Sequence, residues 1–489
     1  MNYIDCFKII VHVAILSATL HAYYIMPREA CKVVFNADPE HLPTFSLKFP
    51  LLFEHTFDYT VINICRGDKM NRVIFHIDVN SAFLSWEAVY RLYHLGGKLD
   101  LRDIPSAVGG DVTKRHGIIL AKSIPAKKYN IKTGEPVTDA LRKCPDLVLV
   151  PPNYNLYQRS SDAFLNMLKE YSPTVEQYSI DEAFMDMTGT ESLFGEPEEV
   201  ANQIKDRVFG ELGFTVNIGV SSNKILAKMA SDFSKPNKTH TLWAHEIKDK
   251  MWPLPVSDLF FVGRATTKKL YGIGIKTIGE LAQTDLTIIK AHFGKHGEII
   301  WAFANGIDLT SVEPTPPPNK GYGNSTTISF DVIDRETAHL VLLSLAETLS
   351  ARLRADNVKI SVISVGIRDY NLEYYGHQMT IDTPTNITRE IYEVACQIFD
   401  DAWNKIPIRH LGIHTNHVST ESSRQLNIFD KVDYEKLELL DKAVDEIRNR
   451  FGMDSIKRAS FVKSKSIDHM SGGISREKRT VDYNKQNVL

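Results

Sequence analysis

The chain has 489 residues and can hold roughly three or four domains with cores of their own. Its five cysteines include no CxxC pair, which excludes a zinc ribbon and provides no disulfide framework. Three of the five lie in the first 69 residues, and the cysteine-poor remainder is typical of a cytoplasmic protein. The net charge of −3 argues against bulk nucleic-acid binding, but residues 111–143 hold eight Lys/Arg and only three Asp/Glu. Such a stripe fits either a surface that grips a polyanion or an ordinary solvated surface.

The first 69 residues differ from the rest of the chain. Residues 7–26 are largely apolar, and they could form a signal peptide or a short membrane span. Two histidines, His12 and His21, interrupt this run, and no cleavage-like site leads into a domain with paired cysteines. Met70 offers an alternative start directly before the first predicted strand. We therefore predict that residues 1–69 are a non-conserved extension or a mis-assigned start, without stable membrane association.

Beyond this extension the apolar pattern predicts a mixed α/β chain. The predicted elements are a strand at 73–79, a helix at 80–95, a Gly- and Lys-rich stretch at 107–129, a helix at 154–171, a strand around 178–184, a helix at 198–212 and a strand at 214–220. This succession favours an antiparallel sheet with helices on one face. A proline-rich linker at 314–318 then precedes a second α/β domain at 325–413.

Three acids lie in two apolar, strand-like runs. Asp78 ends the first run, and Asp181 and Glu182 lie within the second, at 178–184. Buried carboxylates are costly unless they are paired or bound to a metal. Acids at the ends of neighbouring strands can hold two divalent ions for phosphoryl transfer, one ion activating the attacking oxygen and the other stabilising the leaving group. A single strand-end acid is more often a turn or cap residue, but two such segments together favour a metal site.

Four motifs occur in a fixed order along the chain. They are IDVNSAF at 77–83, YSIDEAF at 178–184, GVSSNKILAKMAS at 219–231 and SKPN at 234–237. Together they resemble the Y-family translesion DNA polymerases, and most closely the bacterial DNA polymerase IV-like group. The resemblance covers about residues 72–420. It implies an α/β (α+β) multidomain right-hand polymerase with an antiparallel-sheet palm, small fingers, a helical thumb with a helix-hairpin-helix and an α/β little finger.

The resemblance also implies domain boundaries and an activity. The boundaries are an extension at 1–69, the palm at 70–82 and 152–245, the fingers at 83–151, the thumb at 246–308, a linker at 309–320, the little finger at 321–420 and a tail at 421–489. The implied activity is template-directed, low-fidelity synthesis past damaged bases, adding dNMPs to a primer 3′-OH without a proofreading exonuclease. The implied partners are primer-template DNA, dNTPs and a sliding clamp, and the implied state is a cytoplasmic monomer.

Metal ligands follow residue by residue from the same resemblance. Asp78 and Asp181 match the acids that bridge two Mg²⁺ ions, and Glu182 matches the acid on the primer side. The carbonyl of Val79 matches a backbone ligand. Mg²⁺ suits such a site because it accepts a few carboxylates together with phosphate oxygens and water.

Nucleotide contacts are implied at three further positions. Lys235 matches a lysine that contacts the incoming triphosphate as a mobile point charge. Lys127 stands where relatives usually carry Arg, and Ile124 replaces their usual Tyr, so the fingers-side contacts depart from the family pattern. Either lysine could instead be a solvated surface residue. Phe83 matches the steric gate that excludes a ribose 2′-OH, although a phenylalanine on an apolar helix face is more often core.

A helix-hairpin-helix-like element is predicted at 256–274. Its hairpin glycine would let backbone N–H groups approach a phosphate, and the following helix N-terminus would add a favourable dipole. The expected contacts to the DNA backbone are Gly263, Arg264, Lys268 and Lys269. A short connection between two helices with no DNA contact is the simpler alternative.

Residues 425–429, Gln-Leu-Asn-Ile-Phe, resemble the bacterial sliding-clamp-binding peptide. Gln425 would supply a hydrogen-bonding end, while Leu426, Ile428 and Phe429 would supply apolar anchors. Alternatively, these apolar side chains pack on the chain's own C-terminal helix. That amphipathic helix is predicted at 433–451, with an apolar face more typical of core packing than of a partner site.

Two alternatives to a polymerase come from other functional classes. A palm-type nucleotide cyclase also carries paired acids on a sheet, but it would not account for the helix-hairpin-helix, the little finger or the clamp peptide. A polymerase-derived scaffold without activity would be expected to have lost a carboxylate, whereas Asp78, Asp181 and Glu182 are all present.

Overall fold

The computed structural model describes residues 72–110, 117–420, 432–453, 455–462 and 467. All of these belong to the second of the two units into which the chain divides, Met1–Met70 and Asn71–Leu489. The predicted extension at 1–69 and the clamp-like peptide at 425–429 lie outside the described residues. Within the described ranges, no helix combines the length and the apolar character that crossing a membrane requires.

Twelve strands and fourteen α-helices are found in the described residues. The strands are β1 (Ile74–Val79), β2 (Ser106–Gly109), β3 (Ile119–Lys122), β4 (Val148–Val150), β5 (Val175–Gln177), β6 (Glu182–Asp186), β7 (Val216–Ser221), β8 (Thr239–Thr241), β9 (Gly321–Val332), β10 (Lys359–Asp369), β11 (Tyr374–Thr385) and β12 (Ile408–Ser419). The helices are α1 (Ala82–His94), α2 (Ile124–Lys127), α3 (Val137–Lys143), α4 (Tyr154–Leu168), α5 (Glu191–Phe194), α6 (Pro197–Arg207), α7 (Lys224–Asp232), α8 (Arg264–Gly272), α9 (Ile278–Gln283), α10 (Leu286–Phe293), α11 (Lys295–Ala304), α12 (Arg335–Ala355), α13 (Thr388–Ala402) and α14 (Tyr434–Phe451).

The first sheet has five strands in the order β5-β6-β1-β7-β8. Its pairs are antiparallel except β7 with β8, which run parallel. Every residue of β1 and β7 is buried, because helices cover both faces. Phe75 and Ile77 point into the large core with α1, α4 and α6, whereas Ile74 packs with Ala227 of α7 on the opposite face. The prediction of helices on one face is therefore wrong.

Helix α7 lies unusually close to β7. A Cβ built on Gly219 would fall 1.9 Å from the carbonyl oxygen of Ala227, so only glycine permits this approach. The close packing brings the side chains of α7 to the end of the sheet where β1 ends and β6 begins.

A smaller unit lies between α1 and α4 in the sequence. Its three strands are ordered β3-β2-β4, with β2 antiparallel to β3 and parallel to β4. Helices α2 and α3 pack on this sheet around a small core that includes Ile119, Ala126 and Val137.

A helical region follows β8. Helices α8 to α11 share one apolar core that includes Val256, Leu270 and Ile289. In the predicted helix-hairpin-helix, the first helix is only a single 3₁₀ turn, Val256–Asp258, and the second is α8.

The last sheet is fully antiparallel, in the order β11-β10-β12-β9, and packs against α12 and α13. Helix α14 joins this unit through polar contacts. Its buried residues are Asp441 and Arg448, while Leu440, Ile447 and Phe451 are exposed. The prediction that an apolar face of this helix packs in the core is therefore wrong, because ion pairs hold the helix instead.

Candidate active site

The three predicted acids meet at one end of the five-stranded sheet. Asp78 in β1 lies directly opposite Glu182, the first residue of β6, in the antiparallel register. Asp181 precedes Glu182, and its carbonyl oxygen accepts a hydrogen bond from the backbone N–H of Val79 at 3.0 Å. Asp78 is 8 % exposed, and the other two acids are partly buried. Two strands about a hundred residues apart in sequence thus bring three carboxylates together.

Each acid is engaged by a neighbouring side chain. Lys228 Nζ donates to Glu182 Oε1 at 2.7 Å, and Ser179 Oγ donates to Asp181 Oδ1 at 2.7 Å. Lys235 forms an ion pair with Asp78. In this arrangement no three Asp, Glu, His or Cys side chains of the described residues are grouped so as to hold a metal ion.

The electrostatics of the site reflect burial. Burial raises the pKa of Asp78 even though the charge of Lys235 opposes the shift. Burial also raises the pKa of Asp181, and the neighbouring charge of Asp78 adds to the effect. The lysines therefore do not fully offset the cost of the buried carboxylates. Carboxylate oxygens such as those of Asp78, Asp181 and Glu182 are ligands that a hard divalent cation prefers, and such a cation would reduce that cost.

Lys228 belongs to the site, although the sequence motif alone did not identify it. It lies on α7, is 7 % exposed, and its Nζ is 5.8 Å from the ring centroid of Phe260. A lysine is rarely buried without a paired acid, and Glu182 is that acid. One feature of the sequence could have indicated its role: Lys228 lies one helical turn after Lys224 in an otherwise mostly apolar helix.

Lys235 lies beside the acids as well. Its Nζ contacts Asp78 and also Asp232 Oδ1, the latter at 2.8 Å. Burial lowers the pKa of Lys235, but the two acids outweigh burial and raise it. The side chain therefore remains a cation at the edge of the carboxylate group.

Phe83 is partly buried in the first turn of α1. Its ring stacks on Tyr157 with 4.4 Å between centroids and 9° between planes, and it also lies near Trp86 and Tyr154. The ring is thus held by an aromatic cluster that follows directly on the strand carrying Asp78.

Lys127 lies on the small unit instead of the five-stranded sheet. It is exposed at the end of α2, which begins at the exposed Ile124. Burial lowers the pKa of Lys122 on the adjacent β3, and the positive charge of Lys127 lowers it further. Two cations therefore influence each other on this unit, and the family resemblance implies a role for only one of them, Lys127.

The predicted DNA-contacting residues share the start and the first turns of α8. Gly263 is the N-cap of this nine-residue helix, and Arg264 is its first residue. Both are exposed, as are Lys268 and Lys269. The structure thus presents a helix N-terminus and three cations to solvent.

Three family models match the chain. The impB/mucB/samB family matches residues 77–232, and the C-terminal domain of that family matches residues 319–428. The DNA polymerase-iota thumb domain matches residues 257–308. The matched ranges include the three acids, α8 and the four-stranded sheet.

Named relatives and a solved structure agree with these matches. DNA polymerase IV of Clostridium acetobutylicum is 46% identical over 398 residues, covering 81% of this chain and 99% of that protein. DNA polymerase IV of Acetivibrio thermocellus is 38% identical over 406 residues, covering 82% and 100%. A solved Y-family DNA polymerase chimera has a TM-score of 0.60 at 21% identity, over 71% of this chain and all of that one. The fold is thus that of a multidomain right-hand polymerase, and the nucleotide cyclase and the inactive scaffold are set aside. The chain belongs to the Y-family translesion DNA polymerases, in the DNA polymerase IV group, and is a DNA-directed DNA polymerase.

Proposed function

We propose that this polymerase extends primers by a two-metal mechanism at the end of the sheet where Asp78, Asp181 and Glu182 meet. The observation that carries the proposal is the register that sets Asp78 opposite Glu182, with Asp181 bonded to the backbone of Val79. The family implies dependence on a divalent metal, and we propose two Mg²⁺ ions per site. When bound, such ions activate the attacking 3′-oxygen and stabilise the leaving pyrophosphate.

The residues of the chain have separate tasks in this proposal. Asp78, Asp181 and the Val79 carbonyl would hold the ions, and Glu182 would complete the site on the primer side. Lys228 limits the rotamers open to Glu182 through their 2.7 Å contact. Lys235 donates to the triphosphate, exchanging its contact with Asp78 for phosphate oxygens.

Nucleotide selection is assigned to residues near the same end of the sheet. Phe83 excludes the ribose 2′-OH, since the stack on Tyr157 holds its ring in place. Lys127 contacts the triphosphate from the small unit, and its closeness to Lys122 favours an anion there. The repulsion between the charges of Lys122 and Lys127 falls when a phosphate binds between them.

DNA is held through its backbone. Gly263, Arg264, Lys268 and Lys269 on α8 contact phosphates of the primer-template, without reading bases.

We also propose the domain boundaries that the family resemblance implies: palm at 70–82 and 152–245, fingers at 83–151, thumb at 246–308 and little finger at 321–420. The absence of a proofreading exonuclease and the monomeric state are proposed from the sequence.

Carboxylate variants test the metal site. Asp181→Ala and Glu182→Ala should each lower primer extension by about 10²-fold or more, because they remove charge that acts on the reacting phosphate. Fluorescence anisotropy should show nearly unchanged primer-template binding. Asp186→Ala is a matched control at the other end of β6, where Asp186 Oδ1 accepts from the backbone N–H of Thr188. Near-normal turnover in either site variant would contradict the assignment.

We further propose that residues 425–429 dock on the replication sliding clamp, with Gln425, Leu426, Ile428 and Phe429 as contacts. Tethering raises the effective concentration of a distributive enzyme at the primer end. Replacing Leu426 and Phe429 with Ala should abolish the stimulation of synthesis by the clamp and spare synthesis without it. An equal loss in both assays would instead assign these side chains to folding.

A further inference from the structure

Two buried asparagines form hydrogen bonds with the backbone of residues 234–238. We call this segment the lysine loop because it carries Lys235. Asn80 follows β1 and is 9 % exposed, while Asn217 lies in β7 and is fully buried. Asn80 Nδ2 donates to Asn217 Oδ1 at 3.1 Å. Buried amide groups are nearly always hydrogen-bonded, because each one left unpaired destabilises the fold. The partners of this pair therefore indicate what the pair holds in place.

Asn217 binds both ends of the lysine loop. Its Nδ2 donates to the carbonyl oxygen of Ser234 at 2.6 Å and to that of Ser231 at 3.1 Å. Its Oδ1 accepts from the backbone N–H of Lys238 at 3.3 Å. With the bond from Asn80, all four hydrogen-bonding positions of this side chain are occupied.

Asn80 binds the loop between those two points. Its Oδ1 accepts from the backbone N–H of Asn237 at 2.9 Å and from the hydroxyl of Thr215 at 3.0 Å. The backbone of the lysine loop is thus fixed at one residue before Lys235 and at two residues after it.

This fixation matters because a lysine side chain is long and flexible. The position of its charge is set by where the backbone starts it and by the groups that its ammonium meets. Here the backbone is anchored by the two amides, and the ammonium meets Asp78 and Asp232. Groups that act on a reacting phosphate lose much of their effect when they are displaced by about 1 Å.

We propose that Asn80 and Asn217 are positioning residues that hold the lysine loop so that Lys235 reaches the triphosphate of the incoming nucleotide. The inference rests on the proposed role of Lys235. Neither asparagine contacts the nucleotide itself. Their effect on the reaction passes through the backbone of residues 234–238.

A double-mutant cycle with the full chain tests this inference. Asn217→Ala should raise KM for dNTP by roughly tenfold and change kcat less. A tenfold rise is the loss expected when the hydrogen bond from Lys235 to the charged triphosphate is weakened. Lys235→Ala should also raise KM. In the Lys235→Ala background, Asn217→Ala should have little further effect on KM, because the lysine that it positions is absent. Asn80→Ala offers a second variant in case Asn217→Ala does not fold, and a smaller rise in KM is expected.

Asn153→Ala is the matched control. Asn153 is also buried, at 3 % exposure, and its Oδ1 accepts from the backbone N–H of Leu156 at the start of α4. This variant should lower thermal stability without changing KM for dNTP. If Asn217→Ala raised KM equally with and without Lys235, the positioning role of the asparagines would be overturned, while the triphosphate role of Lys235 would stand. An unchanged KM in Lys235→Ala would overturn the triphosphate role of Lys235, and the inference with it.

Discussion

At the scale of single residues, Phe83 offers a direct test of nucleotide selection. Its ring stacks on Tyr157, so it cannot turn away without losing that contact. We expect Phe83→Ala to open space beside the sugar and to lower discrimination against ribonucleotides by roughly 10- to 100-fold. The measurement is the ratio of kcat/KM for a dNTP and the matching ribonucleotide in single-nucleotide incorporation.

A second partly buried phenylalanine serves as the control for this prediction. Phe194 packs against Tyr171 with 5.3 Å between ring centroids, beyond β6 in the sequence. Phe194→Ala should leave the ratio unchanged while lowering stability to a similar extent. An unchanged ratio in Phe83→Ala would mean that the ring is ordinary core.

At the scale of elements, α8 is expected to contribute nonspecific DNA affinity. A cation that neutralises one phosphate releases counterions, so its removal reduces the salt dependence of binding. Arg264→Ala or Lys268→Ala should each weaken primer-template binding. Each should also make the negative slope of log K against log[salt] shallower by about one. Anisotropy titrations at several salt concentrations measure both quantities, and equal weakening at every salt concentration would argue against a phosphate contact.

Helix α14 gives a stability prediction of a different kind. Arg354 on α12 pairs with Asp441 at 3.1 Å and with Asp445, and it also donates to the carbonyl oxygen of Asn386. Because removing one partner leaves buried charges uncompensated, Arg354→Ala should lower the free energy of unfolding by about 3 kcal/mol. Urea unfolding measures this change, and hydrogen exchange should show loss of protection in α14.

The control for Arg354 is an exposed ion pair in the same unit. Arg389 pairs with Glu393 one helical turn later in α13, and both side chains are more than half exposed. Arg389→Ala should change the free energy of unfolding by no more than about 0.5 kcal/mol. If the two arginine variants were equally stable, α14 would not depend on its ion pairs.

At the scale of the whole molecule, the unit Asn71–Leu489 should fold by itself. Its first strand, β1, begins at Ile74, and the five-stranded sheet is completed by strands that lie later in the chain. A chain that starts at Met70 is therefore expected to melt cooperatively and to extend primers at a rate close to that of the full chain. Loss of the melting transition or of extension would show that residues 1–69 are needed.

The sequence by itself determined much of this protein, including the first strand with Asp78, the proline-rich linker and the order of the four motifs. The second acidic strand, predicted around 178–184, begins only at Glu182, so that Asp181 lies just before it. Periodic apolar residues reveal elements because burial selects one face of a helix or strand. The motifs also identified the family, which the relatives confirm. Composition and spacing were sufficient to predict such elements and motifs, because these features are set by residues that are neighbours along the chain.

Only the tertiary structure decided which distant residues meet. The register of β1 on β6 puts Asp78 opposite Glu182, and close packing of α7 at Gly219 brings Lys228 to that carboxylate. The buried pair of Asn80 and Asn217 was likewise invisible to periodicity, because an asparagine is as common in turns as in hydrogen-bonded cores. The apolar pattern of α14 was misleading as well, because this helix is held by the buried Asp441 and Arg448 and not by its apolar residues. Periodicity records which faces are apolar, whereas the partners that bury a face are chosen by sheet topology and by ion pairs across the fold.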